Sequence, residues 1–174
     1  GALLFTDAVD RVLPARSGRR QLHVLLEALN RHRAGRPRPT DLARVLTEAA
    51  GMIRRRALVF VVSDFISPDG WERPLGQLAA RHDVVAVRLI DPFEMRMPNL
   101  GLITFQASET GEQLFVDTHD PNFRRRFAAA APAREETLAQ AFAQAGVDAV
   151  ELSTEDDVAD AVLRFADMRK HRAR

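Results

Sequence analysis

Residues 57–64, Ala-Leu-Val-Phe-Val-Val-Ser-Asp, constrain the fold more than any other stretch. Apolar and small residues, mostly β-branched or aromatic, run unbroken and then stop at Ser-Asp. Such a run reads as a central strand covered on both faces, as the parallel strands of α/β proteins are. Arg54, Arg55 and Arg56 precede it, so a helix is expected to end there. Ser63 and Asp64 then fall at the carboxyl end of the strand, where open α/β sheets place their ligand sites.

The remaining segments alternate around this strand. Residues 2–6 and 10–15 read as short strands, the second at an edge because it contains Pro14. A helix over about 19–33 carries Leu22, Leu25, Leu26 and Leu29 at helical spacing. After a Pro- and Gly-containing loop at 34–39, Thr40 reads as the N-cap of a helix to about 54 that buries Leu42, Val45, Leu46, Ala49 and Ile53. A helix at 72–81 and a strand at 84–90 follow. Residues 102–106 and 113–117 flank Glu-Thr-Gly-Glu and read as a hairpin beside the main sheet. Asp120-Pro121 opens a long helix that Pro132 should kink or split, with Gly146 as its stop. A strand at 147–152 and a helix at 156–169, burying Val158, Ala161, Val162 and Phe165, close the pattern. Strand–helix alternation predicts an α/β fold: a doubly wound, mostly parallel sheet with helices on both faces.

Composition removes several classes of function. The 174 residues hold no cysteine, which excludes disulfides, thiol catalysis and Cys-based zinc sites. Net charge is +1, and the triplets Arg54–Arg56 and Arg124–Arg126 read as solvated helix faces, so no nucleic-acid partner is expected. No apolar run approaches the roughly 18 residues needed to span a bilayer, and a reducing, cytoplasmic compartment suits the composition. The five histidines are scattered, Ser63 lies outside any Gly-x-Ser-x-Gly elbow, and no Gly-rich loop follows a strand. Trp71 reads as a local core plug.

The chemistry that remains sits on strand ends. Asp64 with Ser63, then Thr6, Asp7, Thr40 and Asp91, place hydroxyls and carboxylates on what should be one rim. Oxygen donors of this kind suit a hard dication such as Mg²⁺. The same residues also serve as ordinary caps of the following turn. Both readings stand at this point.

Arg55-Arg-Ala-Leu-Val-Phe-Val-Val-Ser-Asp-Phe65 recurs with Arg81-His-Asp-Val-Val-Ala-Val-Arg-Leu-Ile-Asp-Pro92, Glu109-Thr-Gly-Glu112, Val116-Asp-Thr118, Gly146-Val-Asp148 and Leu152-Ser-Thr154. In this order the motifs resemble family fifty-eight of the bacterial domains of unknown function, over essentially the whole chain. That family resembles von Willebrand factor A domains, doubly wound sheets with a metal-ion-dependent adhesion site. The resemblance implies a non-enzymatic protein-interaction module working with a MoxR-type AAA+ ATPase in assembling or activating another complex. By position, Thr40 and Asp64 correspond to two metal ligands of the adhesion site, a remnant expected to be empty here, with Mg²⁺ the metal of a complete domain. The alternative is a hydrolase or phosphotransferase using Asp64.

The Asp-x-Ser-x-Ser motif of the family's first strand is absent, and the chain opens inside what reads as a buried strand. The domain is therefore read as residues 1–168, truncated on its N-terminal side, with 169–174 as a basic tail. In the related fold the missing strand lies in mid-sheet, so strand 57–63 is expected to pair differently or to form a homo-oligomer through its open edge.

Overall fold

The computed structural model describes residues 1–31, 39–95, 97–106 and 113–172. In chain order, β1 (Ala2–Phe5) and β2 (Val9–Leu13) form an antiparallel hairpin, followed by α1 (Arg19–Arg31). Then come α2 (Leu42–Met52), β3 (Leu58–Ser63), α3 (Glu72–Ala79) and β4 (Asp83–Ile90). One helical turn, α4 (Pro92–Met95), leads to a second hairpin of β5 (Leu102–Gln106) and β6 (Gln113–Asp117). The elements α5 (Pro121–Ala145), β7 (Asp148–Ser153) and α6 (Val158–Arg172) follow. The loops at 34–38 and 109–112 fall outside the described residues.

The architecture is mixed α/β. Three strands form a parallel sheet in the order β3-β4-β7, as strand–helix alternation predicts. Among the described residues the two hairpins do not join it, so the single doubly wound sheet expected from the sequence is divided into three. β5 and β6 do pair antiparallel as a hairpin, as the change of hydrophobic period indicates.

One face of the parallel sheet carries the main core. Val61, Val84 and Ala86 pack with Leu42 and Leu46 of α2, Leu75 and Leu78 of α3, and Phe142 of α5. The expectation of cover on both faces of residues 57–64 is corrected here. Val61 is 7% exposed, but Leu58, Phe60 and Val62 are 52%, 53% and 48% exposed. The helices on either side of β3 in sequence, α2 and α3, both contribute to the Val61 side. The alternate side chains face away from them.

Two helices also bury less than their spacing implies. α1 puts Gln21 and Ala28 inward, Ala28 packing with Leu4 and Leu13 of the hairpin, and leaves Leu22, Leu26 and Leu29 exposed. A two-stranded ribbon is too narrow to cover a full apolar stripe. In α6 Ala161 is buried, while Val158 and Val162 are exposed. α6 also continues to Arg172, into the segment read as tail.

α5 is one helix of 25 residues, with Pro132 inside it rather than at a break. Pro132 is exposed, so a carbonyl displaced by its ring turns to water. Asp120 caps this helix by accepting the Asn122 amide at 2.8 Å, and Gly146 ends it at φ 66°. A left-handed turn of that kind favours glycine.

Candidate functional site

The carboxyl end of β3 is built by side chains that bond their own turn. Asp64 Oδ1 accepts the Ile66 amide at 2.9 Å and the Ser63 hydroxyl at 3.3 Å, and Ser63 Oγ accepts the Phe65 amide at 3.1 Å. Phe65 takes φ 60°, a left-handed conformation that non-glycine residues adopt at a cost. The turn drives its ring inward, against Trp71 with centroids 5.3 Å apart and Phe142 at 4.9 Å. Trp71 is 4% exposed and closes this aromatic cluster, so it is a core plug as its sequence setting indicates.

Thr40 reaches the same end of the sheet through a residue the sequence did not single out. Ser67 Oγ donates to the Thr40 carbonyl at 2.9 Å and accepts the Leu42 amide at 3.1 Å. It thereby ties the loop after Asp64 to the start of α2. Thr40 is not the N-cap expected from the sequence. Asp41 holds that position, accepting the Arg44 amide at 2.9 Å, because its carboxylate stands three residues before an amide of the first turn.

The other rim candidates are spread over separate elements. Thr6 Oγ1 bonds Asp10 at 3.0 Å and Asp7 at 3.3 Å within the β1–β2 turn. Asp91 Oδ1 accepts the Phe93 amide at 2.9 Å at the end of β4. Each is a local turn bond of the capping kind. The structure links Thr40 and Asp64 through Ser67 and its loop.

The donor set decides how far a dication fits. Asp64 and Asp41 supply two carboxylates beside a few hydroxyls, and the described residues contain no group of three or more His, Asp or Glu placed to hold an ion. Mg²⁺ demands a near-octahedral set of oxygens with at least one or two carboxylates. On donor chemistry alone, this rim falls short of a closed metal site.

A second polar group lies on the same covered face of the sheet. Arg88 of β4, 8% exposed, pairs through both terminal nitrogens with Glu135 of α5, Nη2 to Oε1 at 2.6 Å, and Nη1 also meets Glu151 of β7 at 3.0 Å. The Glu135 hydrogen bonds raise the Arg88 pKa further despite its burial, and Arg88 holds the Glu135 carboxyl below its ordinary value. These side chains wall an open groove of about 780 Å³ between α5 and α6, with Phe142, Arg164 and Phe165. The sequence did carry a signal for this network: an arginine inside Val-Val-Ala-Val-Arg-Leu-Ile requires a partner once buried.

Comparison with known proteins places this geometry in context. Residues 1–137 match the family described as protein of unknown function DUF58. The uncharacterized protein MAV169 of Mycobacterium avium is 34% identical over 166 residues, covering 92% of this chain and 95% of that protein. The uncharacterized protein Rv1480 of Mycobacterium tuberculosis is 32% identical over 178 residues, covering 99% of this chain and 55% of that protein. The chain thus spans about half the length of this longer relative. No solved structure matches.

Proposed function

The chain belongs to the DUF58 family of proteins of unknown function, and from that premise we propose that it is a non-enzymatic interaction module. One observation carries the reading. Leu58, Phe60, Leu102, Leu114 and Phe115 are all more than half exposed. Apolar surface of this extent marks an interaction site. An enzyme needs a formed pocket with convergent polar groups, and the rim at Asp64 bonds mainly its own turn.

The partner class comes from the family resemblance: a MoxR-type AAA+ ATPase, in the cytoplasm, with the Thr40–Asp64 rim as the contact. In the same reading the parallel sheet is part of a von Willebrand factor A-like fold, and Mg²⁺ belongs to the rim only where further ligands complete it. The test is calorimetric titration of a MoxR-type ATPase into the chain. Binding with a negative heat-capacity change, weakened about tenfold or more by Asp64→Ala with the fold intact, is the expected result. Absence of binding overturns the ATPase assignment. Turnover of a phosphate ester, abolished by Asp64→Ala, would replace it with the hydrolase or phosphotransferase alternative.

A further inference from the structure

Where the parallel strands begin, the chain gathers arginine. Arg54, Arg55 and Arg56 fill the connection from α2 to β3, and Arg81 follows α3 just before β4. All four are exposed. The Asp83 amide donates to the Ala57 carbonyl at 2.9 Å, so the starts of β3 and β4 lie side by side. Leu58 stands opposite Asp83, and counting back two residues on each chain brings Arg56 level with Arg81. Among the described residues none of the four arginines is held by a hydrogen bond or ion pair.

Local structure accounts for part of this cluster. A helix C-terminus carries partial negative charge, which favours a cation close by. The α2 cap is Ile53 and the α3 cap is Ala80, so Arg54 and Arg81 each stand next to a helix end. Arg55 and Arg56 lie past that range, in the connection to β3. Like charges set opposite one another on neighbouring strands are destabilising, and an external anion removes that repulsion. The cluster also does not depend on what borders β3. The family resemblance sets a further strand beside β3, in the plane of the sheet, whereas these connections lie past the amino ends of the strands.

Two carboxylates at the same end select the kind of anion. Asp83 begins β4 and Asp148 begins β7, opposite Val85, so both acids interleave with the arginines. A bilayer or a nucleic acid is negative throughout and would press its phosphates against both aspartates. A protein segment can aim carboxylates at the arginines and turn neutral groups toward the aspartates. Arginine suits that task, because its planar fork grips a carboxylate through two parallel hydrogen bonds.

We propose that the amino end of the parallel sheet, centred on Arg55, Arg56 and Arg81, docks an acidic segment of a protein partner. This surface lies at the opposite end of the strands from Thr40 and Asp64. One molecule can therefore hold the ATPase at its rim and an acidic protein at its other end. The proposal deepens the interaction-module reading by giving it a second contact, and it rests on that reading.

Poly-L-glutamate is the probe, titrated into the 174-residue chain by calorimetry, with far-UV circular dichroism as the folding control. The chain is expected to bind it at low salt and more weakly as salt rises. Arg55→Glu combined with Arg56→Glu, and separately Arg81→Glu, should each weaken binding about tenfold or more. Arg56→Lys with Arg81→Lys keeps the charge but loses the fork, and should weaken binding to a smaller degree. Arg125→Glu with Arg126→Glu, exposed on α5, should leave binding nearly unchanged.

No binding of poly-L-glutamate overturns the proposal. So does an equal loss in the Arg125 and Arg126 variant, which would make the attraction a property of net charge alone. Cosedimentation with phosphatidylserine–phosphatidylcholine vesicles, abolished by Arg55→Glu with Arg56→Glu, would replace the protein partner with a lipid surface. Absence of cosedimentation supports the protein partner. ATPase binding at the rim is measured separately on the same variants, which should not change it, so either contact can fail without the other.

Discussion

The ring of Phe65 meets the ring of Phe142 edge to face, with centroids 4.9 Å apart and planes at 89°, although Phe65 holds φ 60° to reach it. The backbone strain is about 1–3 kcal/mol. Burial of the ring and its two aromatic contacts offset it. Phe65→Ala is expected to lose about 3–4 kcal/mol, since it removes the ring and keeps the strain. Phe65→Gly removes the ring but relieves the strain, and should be milder by about 1 kcal/mol. Glycine less harmful than alanine in urea denaturation reports the left-handed backbone. The usual order would contradict it.

Arg88 and Glu135 couple stability to acid. The Arg88 hydrogen bond holds the folded Glu135 carboxyl below its ordinary value of 4.5. A depressed carboxyl contributes stability that is complete above its unfolded pKa and lost as pH falls through the folded one. The pair therefore stabilises the chain at neutral pH and stops doing so in the acid range below about 4.5. Glu135→Gln should cost about 1 kcal/mol at pH 7, a figure kept low because this carboxylate is partly in solvent. The variant and the parent should converge in stability on acidification. Parallel curves down to pH 2 would show that Glu135 carries no such linkage.

His82 is 5% exposed, and neither ring nitrogen has a partner among the described residues. It sits between α3 and β4, where its amide donates to the Leu78 carbonyl at 2.9 Å. A buried ring with unmet polar atoms costs free energy that an apolar side chain of similar size does not. His82→Leu is expected to be neutral or to stabilise by about 1 kcal/mol, read from the thermal midpoint. A loss of that size would show that the nitrogens are partnered.

The sequence made the parallel sheet legible because strand and helix periods differ and alternate through α2, β3, α3 and β4 and again through α5 and β7. Asp120, Gly146 and Trp71 were readable for local reasons: a cap, a left-handed stop and a large ring beside turn residues. Exposure of Leu58, Phe60 and Val62 was not, since an apolar run has the same composition whether one face or two are covered. Nor was the Ser67 bridge, which joins residues 27 positions apart through one hydroxyl. The choice of Asp41 over Thr40 as cap turned on a shift of one residue, below what side-chain preference resolves.

That Ser67 bridge gives the last test. Its hydroxyl donates to the Thr40 carbonyl at 2.9 Å and accepts the Leu42 amide at 3.1 Å, so one side chain fixes both the rim and the first turn of α2. Asp41 caps the same turn independently, through the Arg44 amide. Ser67→Ala should cost about 1–2 kcal/mol and speed amide exchange at Leu42, while Arg44 stays protected by Asp41. Asp41→Ala should cost about 1 kcal/mol and do the reverse. The two sites serve one helix end, so the double variant should depart from additivity. If Thr40 and Asp64 act together at the proposed contact, Ser67→Ala should also weaken ATPase binding, whereas Asp41→Ala should leave it nearly unchanged. Equal effects of the two variants on binding would show that helix stability, not the placement of the rim, governs the contact.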